Sequence, residues 1–292
     1  MTAQIIDGKR LAREIREQIT ERARAVRDRG GAVRLDAILV DAGDSAARVY
    51  AENQARTCRK VGIEYRLHEL ASHASRDDIV GRVLLLNQAE DVHAIMVHLP
   101  LPGAVDPYEV QRLIDPAKDV EGVNPANIGN IVYGRSSLAP CTALATLKLV
   151  ESTGIEIRGK RAVVVGASDV VGKPIAVLLM RQDATVISCN IWTWGLEDLC
   201  RSADILIPAA GVPGLIKPDM VKPGAVLVDV GVSRIEGSDG ENHTVGDACF
   251  EECREVAAWI SPVPGGVGPM TVSMLLLNVV ESAERRMGIK PG

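Results

Sequence analysis

The sequence predicts an α/β protein made of two domains, each built on a parallel sheet. Short apolar runs typical of buried strands alternate with longer amphipathic stretches typical of helices. This series begins again near residue 160, and a length of 292 residues suits two domains of roughly 150 residues each. Alternating strands and helices favour parallel sheets with right-handed crossovers.

The first half of the chain gives three strands and four helices in sequence order. Apolar runs predict strands at 35–40, 63–70 and 94–98. Leu11, Ile15 and Ile19 share one face of a first helix that ends at Gly30–Gly31. A loop at 41–45 offers cap residues for a helix at 46–61, and further helices are expected at 76–87 and 108–114.

The second half repeats the pattern after a loop-rich stretch at 102–125 and a helix at 142–152. Strands are predicted at 162–165, 184–188, 204–208 and 225–230, with a helix at 171–180. A last helix at 271–286 follows the turn-rich run 262–269, and its apolar face is expected to pack on the first domain. The predicted domains are therefore 1–140 together with 270–288, and 141–269, the second being a short doubly wound sheet of Rossmann type.

Composition excludes several classes of protein. The net charge is −5 with both signs well mixed, so neither nucleic acid nor an anionic membrane surface is expected as a partner. The first residues lack an apolar signal core, and no apolar run reaches the ~18 residues of a membrane span. We therefore expect a cytoplasmic protein.

Six cysteines form no C-x-x-C pair and no disulfide framework. Reduced thiols are the simplest interpretation. Cys249 and Cys253 are one helical turn apart but have no nearby His or further Cys, so no metal site is expected.

The strand at 162–165 leads into a turn of small residues, Gly166 to Ser168, and a helix that packs on the sheet through Gly172. A helix N-terminus behind such a turn presents free backbone N–H groups and suits a pyrophosphate. The spacing G-x-S-x-x-x-G differs from G-x-G-x-x-G. The segment itself is thus compatible with a dinucleotide site and with a purely structural turn.

Several separated segments together resemble one family. They are His98-Leu99-Pro100-Leu101-Pro102, Lys118-Asp119-Val120-Glu121-Gly122, Pro140-Cys141-Thr142, Gly166 to Pro174, Asp229-Val230-Gly231, Val245-Gly246-Asp247 and the run 262–271. In this order, over nearly the whole chain, they are similar to 5,10-methylenetetrahydrofolate dehydrogenase/cyclohydrolase. The resemblance implies two α/β domains with a cleft between them, folate in the N-terminal half, NAD or NADP in the C-terminal half, and a homodimer.

The resemblance also implies catalytic positions, and three of the four carry different residues here. The family's Tyr is Tyr50, but its Lys position holds Gln54, its Gln position holds His98 and its Asp position holds Glu121. Tyr50 could flank the pterin or simply pack on the sheet. Gln54, at i+4 from Tyr50, can reach the same ligand but has no titratable proton, which puts the cyclohydrolase step in doubt. Glu121 could hold the pterin edge through paired hydrogen bonds or be a solvated acid.

His98 ends a buried strand, where active sites of α/β proteins occur. Its ordinary pKa near 6.5 makes it a possible base, while a neutral His bonded to structure is the alternative. Because the Lys is lost and a His is gained in one expected cluster, we hypothesise that His98 takes over some proton transfer.

The remaining binding positions follow from the same resemblance. Besides Tyr50 and Glu121, the implied substrate positions are Leu99, Pro100, Pro262, Gly265 and Gly266. The implied cofactor positions are Gly166, Ser168, Val171, Gly172, Pro174, Asn190, Trp192, Ala210, Gly211, Gly231 and Thr271.

The resemblance also implies a basic residue after the strand at 184–188, which would pair with the 2′-phosphate of NADP. Residues 189–194 contain no such residue, and Trp192 stands at the expected position. NADP is therefore disfavoured. NAD is not positively selected either, since no acid follows the strand for the ribose hydroxyls. Trp192 and Trp194 could stack on adenine, close the pocket or lie in a subunit contact.

The function expected first is NAD(P)-dependent oxidation of 5,10-methylenetetrahydrofolate with weak or lost hydrolase activity. Two alternatives stay open: the same scaffold catalysing another folate-dependent one-carbon reaction without a dinucleotide, and a non-catalytic folate-binding or dimer-partner protein.

Overall fold

The computed structural model describes residues 2–41, 46–103, 105–135, 138–236 and 240–290, without the side chains of residues 41 and 46. The chain divides into two compact units. The amino-half unit comprises Glu14–Cys141 and Val272–Gly292, and the carboxyl-half unit comprises Met1–Arg13 and Thr142–Thr271. The predicted two-domain α/β fold with parallel sheets is confirmed.

The amino-half sheet has three parallel strands in the order β3-β2-β4. They are β2 (Arg34–Asp41), β3 (Glu64–Ala71) and β4 (Ala94–Val97). Strand β2 is central because it pairs with β3 along its whole length and with β4 from Leu35 to Ile38. All four residues of β4 are buried, as a strand covered on both faces requires.

Helices connect these strands and complete the unit. Their ranges are α1 (Gly8–Asp28), α2 (Ala46–Lys60), α3 (Arg76–Gln88), α4 (Pro107–Gln111), α5 (Pro125–Val132), α6 (Cys141–Glu151) and α10 (Val267–Arg286), of which α1, α6 and α10 have residues in both units. Helix α3 starts where the sequence favours it, since Ser75 and Asp78 form a reciprocal capping box. Helix α5 was not predicted, because no element was assigned between the loop-rich stretch at 102–125 and the helix at 142–152.

The carboxyl-half sheet has six strands in the order β1-β11-β8-β7-β5-β6, and every pair is parallel. The strands are β1 (Gln4–Ile5), β5 (Arg161–Val165), β6 (Thr185–Cys189), β7 (Ile205–Pro208), β8 (Val226–Leu227) and β11 (Trp259–Ile260). The sheet is parallel, as predicted, and β5 lies between β7 and β6. Residues of β5, β7 and β8 form the centre of its core.

Shorter elements fill in the rest of this unit. They are α7 (Gly172–Met180), α8 (Leu196–Arg201), a 3₁₀ turn (Pro218–Met220), the antiparallel hairpin β9 (Ser233–Glu236) and β10 (Asn242–Val245), and α9 (Phe250–Arg254).

The structure differs from the sequence predictions at three further places. Residues 1–13 belong to the carboxyl-half unit, because β1 pairs with β11, a long-range contact that local pattern does not show. Strand β8 is two residues long instead of six. Beyond it, Val228 and Val230 still donate to carbonyls of β7, but the Asp229 N–H donates to the Ser261 hydroxyl at 2.8 Å instead of a backbone carbonyl. Helix α10 begins at Val267, inside the predicted turn, because Pro269 is tolerated in a first helical turn.

The loop predicted at 41–45 lies, from residue 42 onward, outside the described residues. None of the described helices combines the length and the apolar character needed to cross a bilayer.

Candidate functional site

His98 lies at the carboxyl end of the amino-half sheet, directly after β4. Its backbone N–H donates to the Ile38 carbonyl of β2 at 2.9 Å. The chain passes from β2 to β3 on one side and to β4 on the other, so the ends of β2 and β4 mark a topological switch point, where open parallel sheets bind ligands. The cis peptide bond Leu99–Pro100 follows, and both of its residues are exposed.

Two tyrosines hold the His98 imidazole, which is only 3 % exposed. Its Nε2 lies 3.1 Å from the Tyr65 hydroxyl. The Tyr50 ring meets it edge to face, with ring centroids 5.8 Å apart and planes at 82°. Burial lowers the pKa of His98 to about 4, so the imidazole is neutral at pH 7. Tyr50 itself is 45 % exposed and can therefore contact a ligand.

Gln54 is one helical turn after Tyr50 on α2 and is 3 % exposed. Neither its Oε1 nor its Nε2 has a hydrogen-bond partner among the residues that the structure describes. A buried polar group without a partner costs about 1–3 kcal/mol. Such groups are rare in folded proteins and call for a specific explanation, such as an unseen ligand or water.

Glu121 is the acidic group of this cluster. Its Oε2 is buried and has no hydrogen-bond partner in the described part of the chain. Burial and the neighbouring Asp119 charge raise the pKa of Glu121 to about 7, against the opposing effect of a hydrogen bond from the Val97 backbone. Burial, and next the Glu121 charge, raise the pKa of Tyr50. The two side chains are therefore near neighbours.

Polar contacts fix the loop that carries Glu121. Asp119 is fully buried, and its Oδ2 accepts a hydrogen bond from Asn127 Nδ2 at 2.9 Å. From α10, Asn278 Nδ2 donates to the Val120 carbonyl at 2.8 Å. These contacts fix the backbone immediately before Glu121.

The turn after β5 is the second site and lies at the carboxyl end of the other sheet. The chain leaves β5 for β6 on one side and then crosses to β7 on the other, which makes the ends of β5 and β7 a switch point. Gly166 has φ +115°, and a Cβ there would lie 2.2 Å from the Ala209 carbonyl oxygen. A Cβ at Gly172 would lie 1.7 Å from the Gly166 carbonyl oxygen. Only glycine fits either position.

Helix α7 starts from this turn. The Ser168 hydroxyl accepts a hydrogen bond from the Gly172 N–H at 3.2 Å, and the Ser168 carbonyl accepts one from Lys173 at 3.0 Å. Val171 is the N-cap residue and supplies no side-chain cap. Pro174 is buried in the first turn, where a missing N–H breaks no helical hydrogen bond. The Gly172 and Lys173 N–H groups already donate to Ser168, so an anionic group would meet mainly the positive end of the helix dipole.

The segment after β6 is a compact turn. The Asn190 side-chain oxygen accepts from the Trp192 N–H at 2.9 Å, and the Asn190 N–H donates to the Thr193 hydroxyl at 2.8 Å. Trp192 and Trp194 are 79 % and 94 % exposed. The turn therefore presents two indole rings to solvent and uses the Asn190 oxygen internally.

Asp247 organises the loop after β7. Its carboxylate accepts three backbone hydrogen bonds, from Ala210 at 2.6 Å, Gly211 at 3.0 Å and Val212 at 2.8 Å. Sequence inspection quoted Asp247 only as part of a motif and gave it no role.

A second buried carboxylate, Asp229, fixes the backbone of Asp247. It accepts N–H donors from Gly231 at 3.0 Å, Asp247 at 3.1 Å and Ala248 at 2.8 Å. Burial nevertheless raises the pKa of Asp229 to about 6. The two aspartates fix the loops that carry Ala210, Gly211 and Gly231.

A mainly apolar cavity of about 220 Å³ lies in the same unit, lined by Lys9, Asp229, Val232, Thr244 and residues 262–269. The predicted positions Pro262, Gly265 and Gly266 border it. Thr271 lies in α10, and its hydroxyl donates to the Val267 carbonyl at 3.2 Å. No cluster of His, Cys, Asp and Glu suited to a metal ion occurs within the described ranges.

The structure thus brings Tyr50, His98 and Glu121 together in the amino-half unit, with Gln54 one turn from Tyr50. Pro262, Gly265 and Gly266 belong to the carboxyl-half unit. Sequence inspection missed Tyr65. A signal was available, since alternation along the predicted strand puts it on the same face as the buried Ile63.

Two family models match the chain. The tetrahydrofolate dehydrogenase/cyclohydrolase catalytic domain matches residues 6–121, and the NAD(P)-binding domain of the same family matches residues 140–287. A protein of Moorella thermoacetica named bifunctional protein FolD is 45 % identical over 285 residues, which are 98 % of this chain and 100 % of that protein.

Solved structures agree with these matches. The bifunctional enzyme FolD, a methylenetetrahydrofolate dehydrogenase/cyclohydrolase, from Campylobacter jejuni has a TM-score of 0.92 and 38 % identity, covering 97 % of this chain and 99 % of that one. The Trypanosoma brucei enzyme, solved with NADP and an inhibitor, has a TM-score of 0.90 and 35 % identity, covering 98 % and 99 %.

Proposed function

Because the chain belongs to the tetrahydrofolate dehydrogenase/cyclohydrolase family, we propose that it oxidises 5,10-methylenetetrahydrofolate to the 5,10-methenyl form with a nicotinamide dinucleotide as hydride acceptor. The amino-half cluster binds the pterin, and the turn from Gly166 to Pro174 receives the pyrophosphate.

The observation that carries this proposal is the buried Oε2 of Glu121 beside Tyr50, which has no hydrogen-bond partner among the described residues. The amino-pyrimidinone edge of a pterin presents adjacent N–H donors, and a carboxylate can accept both. Donors of this kind stabilise the ionised form and so lower the pKa of Glu121 on binding. The exposed ring of Tyr50 gives the pterin a flat apolar contact.

Beyond binding the pterin, hydride transfer needs few catalytic groups from the protein. When bound, the nicotinamide supplies the acceptor carbon, and the product cation is delocalised over two folate nitrogens. The main task of the protein is therefore to hold two reactants in contact, which is a matter of orientation.

Hydrolysis of the methenyl cation needs more, because water must be activated and a ring nitrogen must later gain a proton. Gln54 has no titratable proton, and His98, with a pKa near 4, is a weak base at pH 7. We propose that cyclohydrolase activity is weak or lost. Replacing His98 by Gln tests the remaining candidate base, since an unchanged hydrolysis rate on methenyl-folate rules it out.

For the cofactor, we propose no preference for NADP over NAD. The turn 190–194 contains no Lys or Arg that could pair with a 2′-phosphate. Trp192 offers an exposed ring on which the adenine can stack. Both features favour binding of the dinucleotide through its adenine, without a contact to the 2′-phosphate.

The first experiment follows absorbance at 340 nm with methylene-folate and either nicotinamide. We expect reduction with NAD at a kcat/KM at least equal to that with NADP. Glu121→Gln should lower kcat/KM, whereas the exposed control Glu90→Gln should not. Calorimetric folate binding with no reduction of either nicotinamide would contradict the proposal and favour another one-carbon reaction or a binding protein.

We also propose a cytoplasmic homodimer, on the strength of the family resemblance. Light scattering after size exclusion tests the dimer, with a mass near twice 31.2 kDa as the expected result.

A further inference from the structure

We infer that Tyr65 is a positioning residue, which fixes the tautomer of His98 so that the imidazole presents Nδ1–H as a hydrogen-bond donor at the folate site. The part concerning folate rests on the proposed function. The tautomer itself is a property of the protein alone.

The two ring nitrogens of His98 have different surroundings. Nε2 lies 3.1 Å from the Tyr65 hydroxyl. Within the described residues, Nδ1 has no hydrogen-bond partner. Nδ1 is therefore the nitrogen left for a ligand at the switch point between β2 and β4.

The direction of the Tyr65–His98 hydrogen bond follows from the chemistry of the two groups. A phenol O–H is more acidic than the N–H of a neutral imidazole, and an unprotonated imidazole nitrogen accepts better than a phenol oxygen. Tyr65 therefore donates and Nε2 accepts. A neutral imidazole carries one ring proton, so that proton is on Nδ1.

Two contacts fix the plane of the ring. Tyr65 starts from β3, paired with Leu35 in the ladder, and reaches His98 across β2. The edge-to-face contact with Tyr50, at 5.8 Å between centroids, restricts rotation of the imidazole. A ring held at one nitrogen and against one edge presents its remaining N–H in a single direction.

This assignment has a chemical consequence for the site. An Nδ1–H group can donate to a carbonyl or a ring nitrogen of the substrate, but it cannot accept a proton from water. His98 then orients the substrate and does not act as a base.

The decisive experiment is a ring-nitrogen NMR spectrum of ¹⁵N-labelled protein at pH 7, without folate. The His98→Gln spectrum identifies the His98 signals among those of the five histidines. We expect Nδ1 to be protonated in the wild type and the Tyr65→Phe variant to lose this preference. Tyr133→Phe, which removes an exposed hydroxyl, is the matched control and should leave the spectrum unchanged.

A wild-type spectrum with the proton on Nε2 would overturn the proposal, even if Tyr65→Phe failed to fold. An unchanged tautomer in a folded Tyr65→Phe protein would overturn it as well. In the dehydrogenase assay, Tyr65→Phe should raise KM by about threefold to tenfold, the range of one neutral hydrogen bond, at unchanged kcat. If no dehydrogenase activity exists, the spectrum still decides on the tautomer.

Discussion

The two units place their candidate sites at equivalent positions, yet they treat polar groups in opposite ways. In the carboxyl-half unit, Asp247 and Asp229 each accept three backbone hydrogen bonds, and the turn is shaped by Gly166 and Gly172. In the amino-half unit, Gln54 and the Oε2 of Glu121 are buried without partners in the described part of the chain.

The difference separates two kinds of site. A turn built from backbone and glycine keeps its shape while neighbouring side chains change. A site built from buried side chains changes its chemistry with one substitution. This explains how the proposed pyrophosphate turn can keep the residues that the family resemblance implies, while three of the four proposed catalytic positions carry residues other than those it implies.

The largest expected effect tests the side-chain site. Gln54→Lys restores a titratable group next to Tyr50, and we expect methenyl-folate hydrolysis to rise by roughly 10²- to 10⁴-fold, the usual range of general acid–base catalysis. Hydrolysis is measured by loss of methenyl absorbance. The exposed change Gln88→Lys is the control. No gain in a folded variant would mean that Gln54 is not at the catalytic position.

The glycine turn should respond through stability. A Cβ at Gly172 meets the Gly166 carbonyl oxygen at 1.7 Å, so Gly172→Ala must displace backbone, at a cost of about 3 kcal/mol or more in the free energy of unfolding. Dinucleotide binding by calorimetry should be lost with it. Gly129→Ala, where the added Cβ has open space, should change neither quantity appreciably.

Glu121 links stability to pH. Its pKa is raised to about 7 in the fold, so the folded protein keeps a proton that the unfolded chain loses above its ordinary pKa of about 4.3. Stability therefore falls as pH rises from about 4.3 to 7, by up to about 4 kcal/mol. Glu121→Gln should remove this fall in urea unfolding. If the stability of the wild type were constant between pH 4.3 and 7, the raised pKa of the buried Glu121 would be contradicted.

The smallest effect on stability is expected at Asp247, whose carboxylate accepts three backbone hydrogen bonds. Asp247→Asn keeps the shape of the side chain, but an amide has one acceptor oxygen, so it can still accept from Ala210 and Gly211 while the Val212 N–H loses its acceptor. We expect a loss of about 1–2 kcal/mol in unfolding free energy. Dinucleotide affinity should fall by less than tenfold. A larger loss of affinity than of stability would show that Asp247 acts on the ligand directly.

Much of the fold could be predicted from the sequence, since β5 and α7 follow from an apolar run and a glycine turn. The pairing of β1 with β11 could not, because local patterns do not report contacts between residues 255 positions apart. For the site, the grouping of Tyr50, His98 and Glu121 came from a family resemblance. The contact of Tyr65 with His98 depends on side-chain reach across a strand, which periodicity does not reveal.

The division of the chain also decides which of the two units is completed first during synthesis. The carboxyl-half unit needs residues 1–13 and 142–271, all of which exist once Thr271 has been added. The amino-half unit also needs Val272–Gly292, where Asn278 binds the Val120 carbonyl. On the ribosome, the unit that lies later in the sequence is therefore the first to have all its parts.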